Sequence, residues 1–90
     1  MSELDQAAAA MRTEARRVAD VRERLSAAKR DRIWSGPASE RFAHSVDRRL
    51  RELDAQHELM QLLARRLDDA AARAHAAVPH AARVDAGGQR

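Results

Sequence analysis

Apolar residues in the first third of the chain recur three or four positions apart. They form one stripe made of Leu4, Ala8, Met11, Ala15, Val18, Val21, Leu25 and Ala28. This spacing places all of them on one side of an α-helix. Ser2 suits the cap of such a helix, and the acids at positions 3 and 5 complement its dipole. No Gly or Pro interrupts the pattern before Gly36, so the sequence predicts a helix over about residues 3–33.

A second stripe follows a short break in the apolar pattern. It consists of Phe42, Val46, Leu50, Leu53, His57, Met60, Ala64, Leu67, Ala71, Ala74 and Val78. Before it, Gly36 suits a turn because glycine accepts positive φ, and Pro37 suits the first position of a helix. After it, Pro79 disfavours helical geometry at the residue that precedes it. The sequence therefore predicts a second helix over 37–78, a hairpin domain over 1–78 and a flexible tail over 79–90.

Two helices joined by a turn at 34–36 fold back on one another, so the predicted fold is an all-α, antiparallel helix-turn-helix hairpin. The second helix carries more apolar surface than one seam uses, because further leucines surround Met60. Surplus apolar surface is typical of a protein interface. We therefore expect dimerisation with itself or with another helical hairpin to complete a four-helix bundle. The residues expected at that interface are Phe42, Leu59, Leu62 and Leu63.

The amino-acid composition narrows the range of possible functions. The chain has 90 residues, and neither cysteine nor tyrosine occurs among them. A thiolate metal site and a disulfide framework are thus excluded, and the length allows one small domain. No run approaches the ~20 apolar residues of a membrane-spanning helix. There is no Gly-rich phosphate loop and no Ser–His–acid arrangement, so we expect no enzyme activity, no catalytic residues, no cofactor and no metal.

The histidines are the remaining candidates for chemistry. His57 falls on the second stripe, where a polar residue helps to fix register or partner choice. A pH sensor is a second interpretation, because histidine titrates near neutrality. Glu40 and His44 lie four residues apart. An exposed ion pair accounts for this spacing better than a metal site does. His75 and His80 lie on either side of Pro79 and share no predicted face.

The charges are interspersed rather than clustered. The chain has seventeen Lys and Arg residues and fourteen Asp and Glu residues, for a net charge of +3. Nucleic-acid-binding proteins concentrate basic residues on one face, so this pattern does not favour nucleic acid as the partner. It leaves one alternative of a different class, a cytoplasmic helical protein that binds nucleic acid through the arginines of the first helix. These are Arg12, Arg16, Arg17, Arg22 and Arg24.

The turn itself carries a family resemblance. Trp34, Ser35 and Gly36 form a Trp-x-Gly motif at the junction of the two predicted helices, and Phe42 adds an aromatic in the first turns of the second. Together with the chain length, these features resemble the WXG family of early-secreted-antigen-like proteins over about residues 3–78. The resemblance implies a helical hairpin that dimerises. It also implies that Trp34 and Gly36 form a recognition motif for type VII secretion machinery. The alternative for Trp34 is a hydrophobic plug at the hairpin tip.

The resemblance also sets expectations about export. The N-terminus lacks the basic region and apolar core of a signal peptide, so we expect a chain that is cytoplasmic before export and then secreted, or held at the cell surface, by a leaderless route. Family pairs carry a Tyr-x-x-x-Asp/Glu signal after the second helix on at least one member. This chain has no tyrosine, and Ala81 lies four residues before Asp85. The chain then relies on its partner's tail or has diverged from export. An adaptor for a larger secreted toxin is the alternative within the family.

Overall fold

The protein consists of two long helices. The computed structural model describes residues 2–88, in which α1 spans Glu3–Arg30 and α2 spans Pro37–Gly88. The two helices contact each other along the length of α1 and form an elongated hairpin of 82 × 16 × 12 Å. The predicted all-α helical hairpin is therefore confirmed. Within the described residues, neither helix contains a stretch long and apolar enough to cross a bilayer.

The start of α1 follows from the residues at its cap. The Ser2 hydroxyl accepts a hydrogen bond from the backbone N–H of Asp5 at 3.1 Å, and the Asp5 carboxylate accepts one from the backbone N–H of Ser2 at 3.3 Å. Together they form a capping box, which satisfies donors that the helix leaves without partners. The prediction that Ser2 caps the helix is confirmed.

The end of α1 comes three residues earlier than predicted. Asp31 is the C-cap, and its backbone N–H donates to the Ala27 carbonyl at 2.9 Å. Arg32 then leaves the helix and donates from Nη1 to the Lys29 carbonyl at 2.9 Å. This hydrogen bond satisfies a carbonyl in the last turn that has no helical partner. Helix 1 therefore ends at Arg30 instead of residue 33, and Ile33 and Trp34 both belong to the turn.

The start of α2 agrees with the prediction, but its end does not. Gly36 has φ +101°, Pro37 takes the first helical position, and the Glu40 N–H donates to the Gly36 carbonyl at 3.0 Å. At the other end, α2 continues through Pro79 to Gly88 instead of ending at residue 78. Proline removes one helical hydrogen bond, yet its fixed φ remains helical, and this segment is rich in alanine, the strongest helix former. The predicted boundary at residue 79 is thus not the end of the helix, and positions 89–90 of the predicted tail lie outside the described residues.

The seam between the helices is narrow and rich in alanine. Its buried apolar residues all belong to the predicted stripes; they are Ala8, Ala15, Val46, Leu53, Ala64 and Ala71. The prediction was wrong for Val21, which is 46% exposed. Continuing the seven-residue repeat of Ala8 and Ala15 leads to Arg22 and not to Val21, so the valine lies on the flank of the seam. Small side chains let the helices approach closely, but they bury little apolar surface.

Three ion pairs and one histidine–carboxylate hydrogen bond join the helices along one edge of this seam, and we call these four contacts the ion-pair ladder. They are Asp5–His75, Arg12–Asp68, Arg22–Asp54 and Lys29–Asp47. As the partner on α1 moves from position 5 to 29, the partner on α2 moves back from 75 to 47, which is the signature of an antiparallel register. These side chains are partly exposed and screened by solvent, so the pairs contribute little to stability. The ladder therefore specifies the register more than it stabilises the hairpin.

Candidate functional site

The Trp-x-Gly turn lies at the closed end of the hairpin. Gly36 has a positive φ in this turn, a conformation that is strained for residues with a side chain. A glycine is therefore required there for its backbone conformation. Space is not the constraint, since a Cβ added at Gly36 would meet no atom within 4 Å. Ser35 is exposed, and Ile33 is fully exposed. The turn therefore leaves several side chains open to solvent at one end of the molecule.

Trp34 lies against Phe42 and is only partly covered by it. The two ring centroids are 5.7 Å apart and the rings are tilted by 51°. This is within the range of a favourable aromatic pair. Trp34 nevertheless keeps 46% of its surface exposed, whereas a hydrophobic plug would be buried. Phe42 is half-buried, and it supports Trp34 from the first turns of α2.

A buried serine holds the turn in place. Ser39 is 2% exposed, and its hydroxyl donates to the Trp34 carbonyl at 3.0 Å. The same oxygen accepts a hydrogen bond from Arg32 Nε at 2.8 Å. Since Arg32 also donates a hydrogen bond to the Lys29 carbonyl, these contacts connect the end of α1, the turn and the start of α2. We call Arg32, Trp34 and Ser39 the turn clamp. Ser39 was not among the predicted site residues, because a serine in a first helical turn is usually exposed and carries no distinguishing pattern.

The leucines predicted at the partner interface lie on the surface of α2. Leu59 is 55% exposed, Leu62 is 37% exposed and Leu63 is 38% exposed. They occupy the middle third of the hairpin, one turn of helix apart or adjacent to one another. Exposed leucines are ordinary when they are scattered, but a group of three on one helix is an apolar patch. The structure thus brings these three together, while Phe42 lies apart from them at the tip.

The ion-pair ladder perturbs the titration of its acids. A hydrogen bond to His75 lowers the pKa of Asp5, and the hydrogen bonds from Ser2 lower it further. A hydrogen bond from the Lys29 ammonium at 2.5 Å lowers the pKa of Asp47. Both shifts arise because the hydrogen bond favours the charged carboxylate.

The ladder also raises the pKa of Arg22, through its hydrogen bond to Asp54. Arg22 Nε donates to Asp54 Oδ1 at 2.6 Å. The raised pKa keeps the Arg22 guanidinium charged, so its contact with Asp54 is a structural ion pair between the two helices.

The histidines occupy different environments. His57 is half-buried at the seam, as its place in the stripe predicted. His75 Nε2 lies 3.0 Å from Asp5 Oδ2, a contact across the hairpin that the sequence analysis missed. His44 is exposed, and the side chain of His80 lies outside the described residues. Among the side chains that the structure describes, no group of three or more His, Asp or Glu could hold a metal ion.

The chain matches no protein-family model, no curated protein and no solved structure. The features that bear on function are consequently the geometry of the hairpin and the motif formed by Trp34 and Gly36. The resemblance to the WXG family stays an expectation based on that motif at the only turn between α1 and α2.

Proposed function

We propose that this protein is a non-enzymatic helical pairing module associated with type VII secretion. In this proposal it dimerises with itself or with a second helical hairpin, and the dimer is the form that is exported. The patch of Leu59, Leu62 and Leu63 contributes to pairing, and the Trp34–Gly36 turn is the element that the secretion machinery recognises.

One observation carries the pairing function, namely the three leucines that α2 leaves exposed. A hairpin of two helices has a single seam, and in this protein that seam is filled mainly by alanine. Three large apolar side chains, those of Leu59, Leu62 and Leu63, are left on the flank and the back of α2, where water contacts them. Burying such side chains is the main driving force of helix association in water. A second hairpin would provide the missing layer.

The exposure of Trp34 supports a recognition role for the turn. The turn clamp fixes the backbone at Trp34, and Phe42 supports one side of the ring, yet about half of the indole remains accessible. A rigid, half-exposed aromatic is the kind of side chain that dominates binding energies at protein interfaces. The type VII assignment comes from the WXG resemblance of this motif, and the geometry is compatible with it.

Two alternatives make different predictions. An adaptor for a larger secreted protein would use the same surface but would stay in the cell after its partner leaves. A nucleic-acid-binding protein would need free arginines on α1, yet three of the five candidates, Arg12, Arg17 and Arg22, are engaged in ion pairs. Paired arginines contribute less to phosphate binding, because counterion release depends on unneutralised charge. The geometry therefore favours protein pairing.

The test is the export of a Trp34→Ala variant in a host that carries the secretion system, with Ser35→Ala as the matched control from the same turn. Because Trp34 is half-exposed, its loss should destabilise the hairpin by about 1.5–2.5 kcal/mol, below the ~3–5 kcal/mol of a buried tryptophan. Export should fall strongly for Trp34→Ala and remain normal for Ser35→Ala. Normal export of a folded Trp34→Ala chain would remove the turn from the mechanism. If the chain stays in the cell while a larger protein needs it for export, the adaptor is the correct function.

A further inference from the structure

A cleft of about 420 Å³ lies beside the turn, between the last turns of α1 and the side of α2. This volume is within the range that small ligands occupy. The walls of the cleft combine three cationic side chains with one aromatic and one aliphatic side chain, and among the described residues no carboxylate lines it. We call it the basic cleft, and its lining residues are Ser26, Lys29, Arg30, Arg32, Trp34 and Leu50.

Arg32 is held in one position within the basic cleft. Its Nε donates to the buried hydroxyl of Ser39 at 2.8 Å, and its Nη1 donates to the Lys29 carbonyl at 2.9 Å. A guanidinium has five N–H groups, so three remain for a ligand. Among the side chains that the structure describes, no carboxylate forms an ion pair with Arg32. Arg32 therefore presents a positive charge that is already oriented and is not neutralised by a contacting acid.

The other two cationic side chains of the cleft each have an acid nearby. Lys29 Nζ donates to the Asp47 carboxylate at 2.5 Å, and an Nη of Arg30 lies 3.8 Å from the Glu23 carboxylate. Ion pairs of this kind are partly or fully exposed and weak, so their cationic members can also contact a bound anion. Lys29 and Arg30 thus add to the charge of the cleft, but Arg32 is its centre.

The charge balance around the cleft is positive. Residues 22–54 comprise the turn and the helix segments on both sides of the cleft. They contain nine Lys and Arg and six Asp and Glu, so they account for the whole net charge of +3, while the rest of the chain is balanced. Asp31, the acid between Arg30 and Arg32, is exposed and is not a lining residue. The surrounding charge therefore attracts an anion toward the cleft.

We infer that the basic cleft binds an oxyanion, a carboxylate or a phosphate, that is attached to an apolar group. The free N–H groups of Arg32 donate to the oxyanion, and Lys29 and Arg30 lie beside it. Hydrogen bonds between charged partners are about twice as strong as neutral ones. The apolar group lies against Trp34 and Leu50. This binding site goes beyond the proposed pairing function and does not depend on secretion.

The test is an NMR titration of the full chain, followed at the indole N–H of Trp34. Trp34 is the only tryptophan, so its signal is unique and reports from within the cleft. Four probes are compared near neutral pH at constant ionic strength, namely cyclohexanecarboxylate, cyclohexyl phosphate, cyclohexylmethanol and inorganic phosphate. Both cyclohexyl anions should bind about tenfold more tightly than the neutral alcohol, because a hydrogen bond to a charged group is worth that factor. They should also bind more tightly than inorganic phosphate, which lacks the apolar group. The tighter of the two anions identifies the oxyanion that the cleft prefers.

Arginines inside and outside the cleft provide matched variants. Arg32→Gln should weaken the binding of both cyclohexyl anions about tenfold, because the fixed charge is lost. Arg41→Gln removes the same charge from an exposed arginine that does not line the cleft, and it should leave the affinities nearly unchanged. Since Arg32 also supports the turn, circular dichroism checks that each variant is folded. Arg30→Gln tests the cleft without touching the turn, and it should weaken binding roughly two- to threefold.

Several results would overturn the site. They are equal affinities for the alcohol and the anions, a folded Arg32→Gln variant that binds like the parent, equal effects of Arg30→Gln and Arg41→Gln, and an indole signal that no probe moves. None of these results changes what is expected for pairing through the exposed leucines or for export of the Trp34→Ala variant. Failure of the binding site is therefore distinguished from failure of the proposed function.

Discussion

Replacing Leu53 by alanine should destabilise the hairpin far more than the same change at Leu62. Leu53 is 3% exposed and lies at the seam beside Val18 and His57. Leu62 is 37% exposed and points away from α1. The two residues belong to the same helix and are exchanged for the same residue, so the small gain in helix propensity is common to both and cancels.

The expected difference follows from burial. A buried Leu→Ala change lowers the free energy of unfolding by about 2–5 kcal/mol, and the lower part of this range applies because water reaches a cavity in a two-layer hairpin easily. We therefore expect a loss of about 2–3 kcal/mol for Leu53→Ala. For Leu62→Ala we expect a change of less than about 0.5 kcal/mol, as at other surface positions.

The measurement is urea unfolding followed by far-ultraviolet circular dichroism. It is repeated at two protein concentrations, because association through the exposed leucines would add a concentration-dependent contribution to stability. A Leu62→Ala variant that binds its partner poorly but unfolds like the parent would support the assignment of faces. Equal destabilisation by the two substitutions, at both concentrations, would refute it.

Further expectations concern the turn clamp and the ladder. Ser39→Ala removes both hydrogen bonds of a buried hydroxyl, so the free energy of unfolding should fall by about 1–2 kcal/mol. The fluorescence anisotropy of Trp34 should also drop, because its backbone is no longer held. Ser35→Ala is the control and should change neither quantity. The pKa values of Asp5 and Asp47 are lower in the folded protein than in the unfolded chain. The stabilisation that these two carboxylates provide is therefore fully present above the unfolded-state pKa, and it is lost as the pH falls through the lower folded-state pKa values. The melting temperature should therefore decrease between pH about 5 and about 3, and less so in an Asp5→Asn, Asp47→Asn double variant. An equal decrease in parent and double variant would show that other carboxylates control acid unfolding.

Local sequence signals predicted most of the fold. The capping residues at the start of α1 and the glycine–proline pair before α2 act within one turn of helix, so they can be interpreted without knowledge of the tertiary structure. The stripes also predicted the buried residues, because a helix of this length has only one side available to a single partner. The stripes did not predict the exposure of Val21. Both Val21 and Arg22 fit a spacing of three or four residues, and only the register between the two helices decides which of them lies in the seam.

The ladder was missed for a related reason. Pairs of opposite charge four residues apart, such as Asp47 with Arg51, can be recognised within one helix from the sequence alone. In the structure Asp47 instead contacts Lys29 on the other helix. Predicting that contact requires the register across the turn. The acids spaced seven residues apart on α2 contain this signal, but it becomes interpretable only with the basic residues of α1 in antiparallel order. Ser39 likewise becomes significant only once the turn brings Trp34 and Arg32 to it.

Sedimentation equilibrium of the purified chain, combined with thermal melting at several concentrations, tests the central claim most directly. A seam built largely from alanine buries little apolar surface, and the leucines exposed on α2 would be buried only by a further helix or hairpin. We therefore predict that the chain at micromolar concentration either self-associates or melts broadly, and that its melting temperature rises with concentration or on addition of a pairing helix. A folded monomer that melts cooperatively, at a temperature independent of concentration and of any added helix, would contradict the pairing function.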